Sequence, residues 1–308
     1  MEVFTNINNI NIEQSAICVG TFDGLHLGHK VVVGETIKHA KRLGIKSLVF
    51  TFWPHPLEII QTEKKVYYLN TFQEKIDLFS KSGIDYLVLF PFNKDFASIS
   101  SKSFIKDFLV EKLKMKFFVI GYDHQFGKGR KGKYEKVIDC GNELDFGVER
   151  IEQQAVSQES ISSTKIREFI KSGDVNLANK LLGYPYFISG EVEKGRQIGT
   201  KIGFPTANIK IATNKIMPQI GVYAVNVEIE NTIYNAMANL GFKPTLNNER
   251  KLSLEVHIFN FKADLYSKNI KLSFCKRIRD EIKFDNLEEL KSQIQKDKNI
   301  ITDYFNKS

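Results

Sequence analysis

Two histidines and several glycines lie close together near the amino terminus, in the segment GTFDGLHLGHK. His26 and His29 are three residues apart at the predicted start of a helix, so both imidazoles lie on one face of its first turn. A helix amino terminus offers unpaired N–H groups and partial positive charge, and glycines let the main chain approach a ligand closely. The pattern therefore predicts a phosphate-binding site that includes Gly20, Phe22, Gly24 and Gly28.

Two alternatives remain for these histidines. They are spaced as half of a metal site, but no further Cys or His is spaced to complete one. They are also compatible with an ordinary capped helix that carries two incidental histidines.

A second cluster of phosphate-binding groups is found in ISSTKIREFIK, residues 161–171. Ser163 and Thr164 precede a predicted helix and Arg167 lies one turn into it, so hydroxyls and a guanidinium converge at a helix start. Thr164 with Glu168 nearby is also typical of a capping box. Capping and binding of triphosphate oxygens are compatible, and we expect both.

A basic, glycine-rich loop follows the fourth predicted strand, with the sequence GYDHQFGKGRKG at residues 121–132. Its basic and glycine residues favour a loop that closes over a bound nucleotide. A surface loop that binds no ligand is the alternative interpretation. The candidate contacts are Asp123, Phe126, Lys128 and Arg130.

The carboxy-terminal half contains GRQIGTKIGFPTANIK at residues 195–210. Glycines again permit close approach to phosphates, and we assign ATP binding to Gly199, Lys201 and Gly203. Thr206 and Asn208 are two apart on one face of an extended segment and offer hard oxygen ligands, which suit Mg²⁺. A β-turn without a ligand accounts for the glycines and the proline alone.

A carboxylate occurs inside a strand pattern further on, in LSLEVHIF. Alternation puts Glu255 on the same face as Ser253 and His257 and opposite Leu254 and Val256. A salt bridge that faces solvent is the alternative explanation for such a carboxylate.

The elements that position these groups change in type along the chain. Up to about residue 182, short apolar segments alternate with helical periodicity, which predicts a parallel sheet covered on both faces, with ligands beyond the strand ends. The expected strands are residues 16–20, 47–52, 86–90 and 117–121, and the expected helices are residues 27–43, 71–82 and 104–114.

Beyond residue 182 the pattern favours antiparallel strands, arranged as a barrel or sandwich with one closing helix at residues 287–305. The expected strands include residues 221–229, 234–240 and 252–259. We predict two domains, residues 1–184 and 185–308.

Composition excludes several classes of protein. With 42% hydrophobic and 26% charged residues, 20 Gly and 7 Pro, the chain is neither disordered nor collagen-like. Three distant cysteines argue against a disulfide framework and favour a reducing cytoplasm. The net charge of +8 comes from 36 Lys and only 8 Arg among 44 basic residues, so we expect no nucleic-acid partner. No apolar run reaches membrane-spanning length.

These motifs together resemble a known family. GTFDGLHLGH is similar to the HxGH signature of nucleotidyltransferases, and the segment from residue 195 resembles the riboflavin kinase signature. With TFWPHPLEI at residues 51–59 and NLGFKPTL at residues 239–246, the whole chain resembles bifunctional riboflavin kinase/FAD synthetases. The implied fold is a Rossmann-like α/β nucleotidyltransferase domain followed by an antiparallel β-barrel kinase domain.

The resemblance implies that riboflavin is phosphorylated to FMN and that FMN is adenylylated to FAD, with ATP and Mg²⁺. It implies that Glu255 is the general base of the kinase, that His26 and His29 act in adenylyl transfer, and that Asp123, Phe126, Arg130 and Arg279 contact flavin or phosphate. A monomer or weak homo-oligomer without a membrane partner is expected. The chain departs from the usual family residues at Trp53, His124, Asn260, Ala263 and Ser267.

Overall fold

The chain folds into two compact units, residues Met1–Ser163 and Thr164–Ser308. The computed structural model describes residues 1–61, 63, 65–122, 134–153, 155–156, 159–195, 198–244 and 250–307. Each unit is built on its own sheet, and each is described by itself below.

The first unit alternates strands and helices, as its apolar pattern predicts. Its strands are β1 (Glu2–Phe4), β2 (Ser15–Val19), β3 (Lys46–Trp53), β4 (Tyr86–Pro91), β5 (Met115–Ile120), β6 (Gly147–Arg150), β7 (Ala155–Val156) and β8 (Glu159–Ser160). Its helices are α1 (Leu27–Leu43), α2 (Pro56–Ile60), α3 (Phe72–Ser80), α4 (Lys94–Ala97), α5 (Ser101–Ser103), a π-helix (Phe104–Lys112) and α6 (Tyr134–Leu144).

The main sheet of this unit is six-stranded, in the order β1-β4-β3-β2-β5-β6, and every pair in it is parallel. Successive residues of its central strand enter different apolar clusters: Ile17 and Val19 pack in one, and Cys18 packs in the other. Both faces of the sheet are therefore buried, and the predicted two-faced parallel sheet is confirmed.

The helix that carries the histidine pair begins and ends where its sequence predicts. Helix α1 runs from Leu27 to Leu43, and Gly44 caps it in the left-handed conformation with φ of 67°. Glycine adopts this conformation without a Cβ penalty. The helix predicted at residues 104–114 instead forms as a π-helix that ends at Lys112, and its cap N–H at Leu113 bonds five residues back to the Phe108 carbonyl.

The second unit contains two short helices followed by a closed antiparallel barrel. Its helices are α7 (Ser163–Ser172, whose first residue belongs to the first unit), α8 (Val175–Leu182), α9 (Ile198–Lys201) and α10 (Leu287–Lys307). Its strands are β9 (Phe187–Glu193), β10 (Ala207–Ile209), β11 (Gly221–Ile229), β12 (Thr232–Pro244), β13 (Arg250–Ile258) and β14 (Asn269–Arg279).

The barrel closes in the order β10-β13-β12-β11-β14-β9, with β10 pairing back to β9. Helix α10 covers one side of it, where Ile301 packs with Val222 and Met237. A buried ion pair fixes this helix, because the Arg279 guanidinium donates to both carboxylate oxygens of Asp297, at 2.6 to 3.0 Å. The antiparallel barrel with one closing helix is thus confirmed.

Helix α8 packs against strand β14 of the barrel. The Asn179 side chain donates to the Phe274 carbonyl at 2.8 Å and accepts from the Tyr186 N–H at 2.6 Å. Leu181 and Leu182 are fully buried. Helix α8 therefore contributes to the stability of the barrel, although it precedes the first barrel strand.

We predict that a fragment of residues 164–308 is more stable to urea than a fragment of residues 185–308, by at least about 2 kcal/mol, because burial of one leucine contributes about that much. Urea denaturation followed by circular dichroism measures the difference. Asn179→Ala in the longer fragment serves as a partial control and is expected to give intermediate stability. Equal stability of the two fragments would show that α8 is dispensable for the barrel.

Candidate functional site

The turn between β2 and α1 is held in an unusual backbone conformation. Phe22, Gly24 and Leu25 all have positive φ, of 45°, 87° and 33°. The Gly20 N–H anchors the start of the turn by donating to the Phe50 carbonyl at 3.1 Å. Positive φ at residues other than glycine is costly and concentrates at binding sites, so the turn is shaped for more than connection.

The two histidines stack on each other at the start of α1. Their ring centroids are 3.5 Å apart with an interplanar angle of 16°, and the ring of Phe22 meets His29 edge-on at 5.1 Å. His26 is the N-cap residue, and its Nδ1 accepts from the His29 N–H at 3.3 Å. An accepting Nδ1 carries no proton, so the neutral His26 ring has its proton on Nε2. Gly28 lies between the histidines in the first turn of the helix.

Buried polar side chains stabilise this turn through hydrogen bonds. The carboxylate of Asp23, 1% exposed, accepts from the Leu69 N–H at 3.1 Å and the Asn70 N–H at 3.3 Å. The Lys75 ammonium and the Thr51 hydroxyl both donate to the Thr21 carbonyl, at 2.7 and 3.1 Å.

Burial lowers the pKa of Lys75 to about 8, and the nearby Asp23 carboxylate partly opposes this shift. Sequence reasoning missed both residues. Asp23 lies inside the motif, and Lys75 lies on the apolar stripe of α3 beside Phe72, Ile76 and Phe79, where a lysine is unexpected. That position is the signal by which Lys75 could have been found.

One of the residues at the start of α7 that were predicted to bind phosphate contacts the turn between β2 and α1, which we call the histidine turn. The Ser163 hydroxyl donates to the Asp23 carbonyl at 2.8 Å, so it contacts the turn directly. Thr164 and Arg167 belong to the second compact unit, and their approach to phosphates stays a prediction. Asp123, Phe126, Lys128 and Arg130, as well as His124, lie outside the described residues.

Trp53, one of the departures from the family, forms part of an aromatic cluster beside the turn. Its ring stacks on Tyr68 at 4.8 Å and meets Phe72 edge-on at 5.4 Å. The Lys75 ammonium lies 5.7 Å above the Trp53 ring, within the range of a cation–π interaction. Trp53 thus covers the buried lysine in this chain.

In the barrel, Glu255 lies at the centre of a polar cluster. Strand β13 places it opposite Asn208 on β10 and opposite Asn239 on β12, and the Thr206 hydroxyl donates to its Oε2 at 3.3 Å. All four side chains are partly buried. The structure therefore brings together the predicted base and the two predicted metal ligands, and it adds Asn239, which sequence reasoning did not single out. Asn239 opens the NLGFKPTL block, and its pairing register with Glu255 could not be read from the sequence.

Two glycines of the segment before this cluster are packed so tightly that neither position admits a side chain. A Cβ at Gly195 would collide with the Asn208 amide, and one at Gly199 would collide with the Phe204 carbonyl. Gly203 has φ of 86°, which only glycine adopts readily. Lys201 ends α9, and its side chain lies outside the description.

Two further sequence assignments acquire a structural context. Arg279 binds Asp297 through two of its nitrogens, and its Nη1 donates to the Asp280 carbonyl at 2.8 Å, so a flavin contact would have to compete with these bonds. Ser267 adopts a left-handed φ of 61°, a conformation that glycine adopts more readily than serine. Asn260 has φ of 55° and is tolerated better, because asparagine visits this region more often.

Lys75→Met is expected to change how stability depends on pH. The folded-state pKa of about 8 lies below the ordinary lysine pKa of 10.5, so charging the buried ammonium opposes folding at pH 7. This penalty is lost as pH rises from about 8 through 10.5. The wild type should therefore gain about 3 kcal/mol relative to Lys75→Met over that interval.

Urea denaturation at several pH values between 7 and 10.5 measures this gain. Lys41→Met, at an exposed position of α1, is the matched control and should show almost no such change. A stability difference between wild type and Lys75→Met that stays constant with pH would contradict the assigned burial of the charge.

Comparison with known proteins matches two family profiles to successive parts of the chain. The FAD synthetase family profile matches residues 9–165, and the riboflavin kinase profile matches residues 182–305. Within the residues that the structure describes, no helix has the length and apolar character needed to cross a membrane.

Similar proteins cover nearly the whole chain. Bifunctional riboflavin kinase/FMN adenylyltransferases of Bacillus subtilis and Escherichia coli are 39% and 34% identical, over 95% and 99% of this chain and 93% and 98% of theirs. A crystal structure described as a macrolide-efflux protein from Streptococcus pneumoniae has a TM-score of 0.87 and 31% identity, with 98% of both chains covered. The chain therefore belongs to the family of bifunctional riboflavin kinase/FMN adenylyltransferases.

Proposed function

We propose that the histidine turn transfers the adenylyl group and that the Glu255 cluster transfers the phosphoryl group. The chain is an enzyme of flavin cofactor biosynthesis with riboflavin kinase and FMN adenylyltransferase activities. Its substrates and products are riboflavin, FMN, FAD and ATP. We propose residues 1–184 as the adenylyltransferase domain and residues 185–308 as the kinase domain.

The stacked histidine pair is the observation that supports adenylyl transfer at the first site. In this reaction an FMN phosphate oxygen attacks the α-phosphorus of ATP, and pyrophosphate leaves. His26 has its Nδ1 engaged in capping α1, so its Nε2–H is the group that can donate to an α-phosphate oxygen as negative charge grows there. His29 stacks against it and adds a second donor. The first-turn N–H groups of α1 add a favourable dipole for the same charge.

The phosphates of ATP are further assigned from the sequence to two groups of residues. Gly20, Phe22, Gly24 and Gly28 would supply main chain, and Ser163, Thr164 and Arg167 would supply hydroxyls and a guanidinium. A side chain at Gly20 would crowd the Phe22 ring, since a Cβ there would lie 3.1 Å from it. Asp123, Phe126 and Arg130 stay assigned to flavin from the resemblance alone.

The hydrogen bond between Thr206 and Glu255 is the observation that supports phosphoryl transfer at the second site. The riboflavin 5′-hydroxyl attacks the γ-phosphorus of ATP, its proton passes to the Glu255 carboxylate, and ADP leaves. The hydrogen bond from the Thr206 hydroxyl orients the Glu255 carboxylate, and we propose that this carboxylate also accepts the hydrogen bond of the riboflavin hydroxyl. Gly199, Lys201 and Gly203 are assigned to the phosphates of this ATP.

The residues around Glu255 also fit a magnesium ion. Thr206 and Asn208 offer a hydroxyl and an amide oxygen, the hard donors that Mg²⁺ takes, and the absence of a Cβ at Gly195 leaves the Asn208 amide its place. Bound there, Mg²⁺ would neutralise charge on the ATP phosphates. A monomer or weak homo-oligomer in a reducing cytoplasm stays our expectation from the sequence.

His29→Ala is predicted to lower FAD formation from FMN by about a hundredfold or more, because it removes one donor to the transition state. Riboflavin phosphorylation by the same protein should stay close to wild type, and it serves as the control for folding. Chromatographic separation of the flavins after incubation with ATP and Mg²⁺ measures both steps. Equal loss of the two activities would mean that His29 is not specific to adenylyl transfer.

Glu255→Gln is predicted to slow phosphoryl transfer by about 10² to 10⁴ while riboflavin and ATP still bind, because the amide keeps the size of the carboxylate but accepts no proton. Single-turnover kinetics measures the chemical step directly. Glu228→Gln is the matched control, since Glu228 pairs with Lys271 on the barrel at 3.1 Å and should affect turnover little. Wild-type single-turnover rates in Glu255→Gln would exclude Glu255 as the base.

A further inference from the structure

His257 lies two residues after Glu255 on strand β13 and is only 7% exposed. Its Nδ1 is 2.9 Å from the main-chain carbonyl oxygen of Pro205. A carbonyl only accepts hydrogen bonds, so Nδ1 must carry the proton. The other ring nitrogen, Nε2, is buried and has no hydrogen-bond partner within the described part of the chain.

The surroundings of this imidazole are mostly aromatic. The rings of Phe204 and Phe259 lie 5.4 and 5.6 Å from it, and the Lys298 ammonium lies over those two rings at 6.0 and 5.4 Å. An apolar side chain would pack there without leaving a buried nitrogen unpaired, which costs free energy. The feature that an apolar side chain could not supply here is the hydrogen bond to Pro205.

That hydrogen bond acts on the segment that carries the proposed metal ligands. Pro205 has no N–H, so its carbonyl is its only main-chain hydrogen-bonding group, and it belongs to the peptide unit that joins Thr206. His257 and Glu255 lie on the same face of β13 and hold consecutive residues. His257 donates to the Pro205 carbonyl, and Glu255 accepts from the Thr206 hydroxyl. The orientation of this peptide unit determines where the Thr206 oxygen points.

We propose that His257 is a positioning residue of the riboflavin kinase site, which fixes the Pro205–Thr206 peptide through its Nδ1–H and so places Thr206 and Asn208 for Mg·ATP. The proposal rests on the proposed assignment of Thr206 and Asn208 as ligands. His257 itself touches neither substrate nor metal in this mechanism.

Three substitutions in the full-length protein separate the hydrogen bond from packing. Asn places an amide N–H close to the position of Nδ1, Gln places one close to the position of Nε2, and Ala provides neither. We expect His257→Ala and His257→Gln to weaken binding of ADP in the presence of Mg²⁺ by about tenfold or more, as loss of a group that orients metal ligands typically does. His257→Asn should stay within about threefold of the wild type.

Isothermal titration with ADP and Mg²⁺ measures this affinity, and kinetics should show the same order in the KM for ATP with smaller changes in kcat. FAD formation from added FMN by each variant reports on the integrity of the rest of the chain. Wild-type ADP affinity in His257→Ala, or equal weakening in all three variants, would overturn the proposal.

A measurement on the unsubstituted protein tests the geometry even where a variant fails to fold. Long-range ¹⁵N–¹H spectra of histidine-labelled protein should show a protonated Nδ1 and an unprotonated Nε2 for His257 at neutral pH, and the opposite tautomer would overturn the proposal. Thr206→Ala tests the underlying assignment separately. If Thr206→Ala binds ADP and Mg²⁺ as well as the wild type does, then the ligand assignment fails whatever His257 does.

Discussion

A parallel strand that is buried on both faces has no room along its length for reactive polar side chains. In the first unit, residues 16–19 of β2 are at most 3% exposed, and polar chemistry begins only after the strand ends. The histidine pair therefore lies at the start of α1. In the antiparallel barrel, one strand can bury alternate residues and present the others, so Glu255, Asn208 and Asn239 lie within strands. The two sheet types thus determine where each site forms.

Both proposed sites also use buried or partly buried side chains to hold main-chain carbonyls. Lys75 donates to Thr21, Ser163 donates to Asp23, and His257 donates to Pro205. Each of these carbonyls lies in or next to a segment that carries proposed site residues. Loop backbone has few regular hydrogen-bond partners, so side chains that reach it from packed elements stabilise one conformation of the loop. Residues remote from the chemistry consequently influence the position of residues that take part in it.

The sequence allowed the prediction of features governed by local rules. Helix α1, its Gly44 cap and strand β11 match their predicted bounds, because periodicity and cap chemistry are local. Strand β1 was missed, because three residues that pair with a strand more than eighty positions away carry no periodic signal. The contacts of Arg279 with Asp297 and of Asn239 with Glu255 depend on the registers of separate elements, which no local pattern determines.

The two reactions begin with nucleophiles of very different acidity, and the two proposed sites differ accordingly. A flavin phosphate is already an anion at neutral pH, so adenylyl transfer needs donors for the growing negative charge and no base. In the first unit the buried carboxylate of Asp23 accepts from the N–H groups of Leu69 and Asn70, so it stabilises backbone conformation. The riboflavin hydroxyl is a weak acid, so phosphoryl transfer gains from a carboxylate that accepts its proton. In the barrel the Glu255 carboxylate accepts from the hydroxyl of Thr206 at 3.3 Å, and its proposed role is to accept that proton.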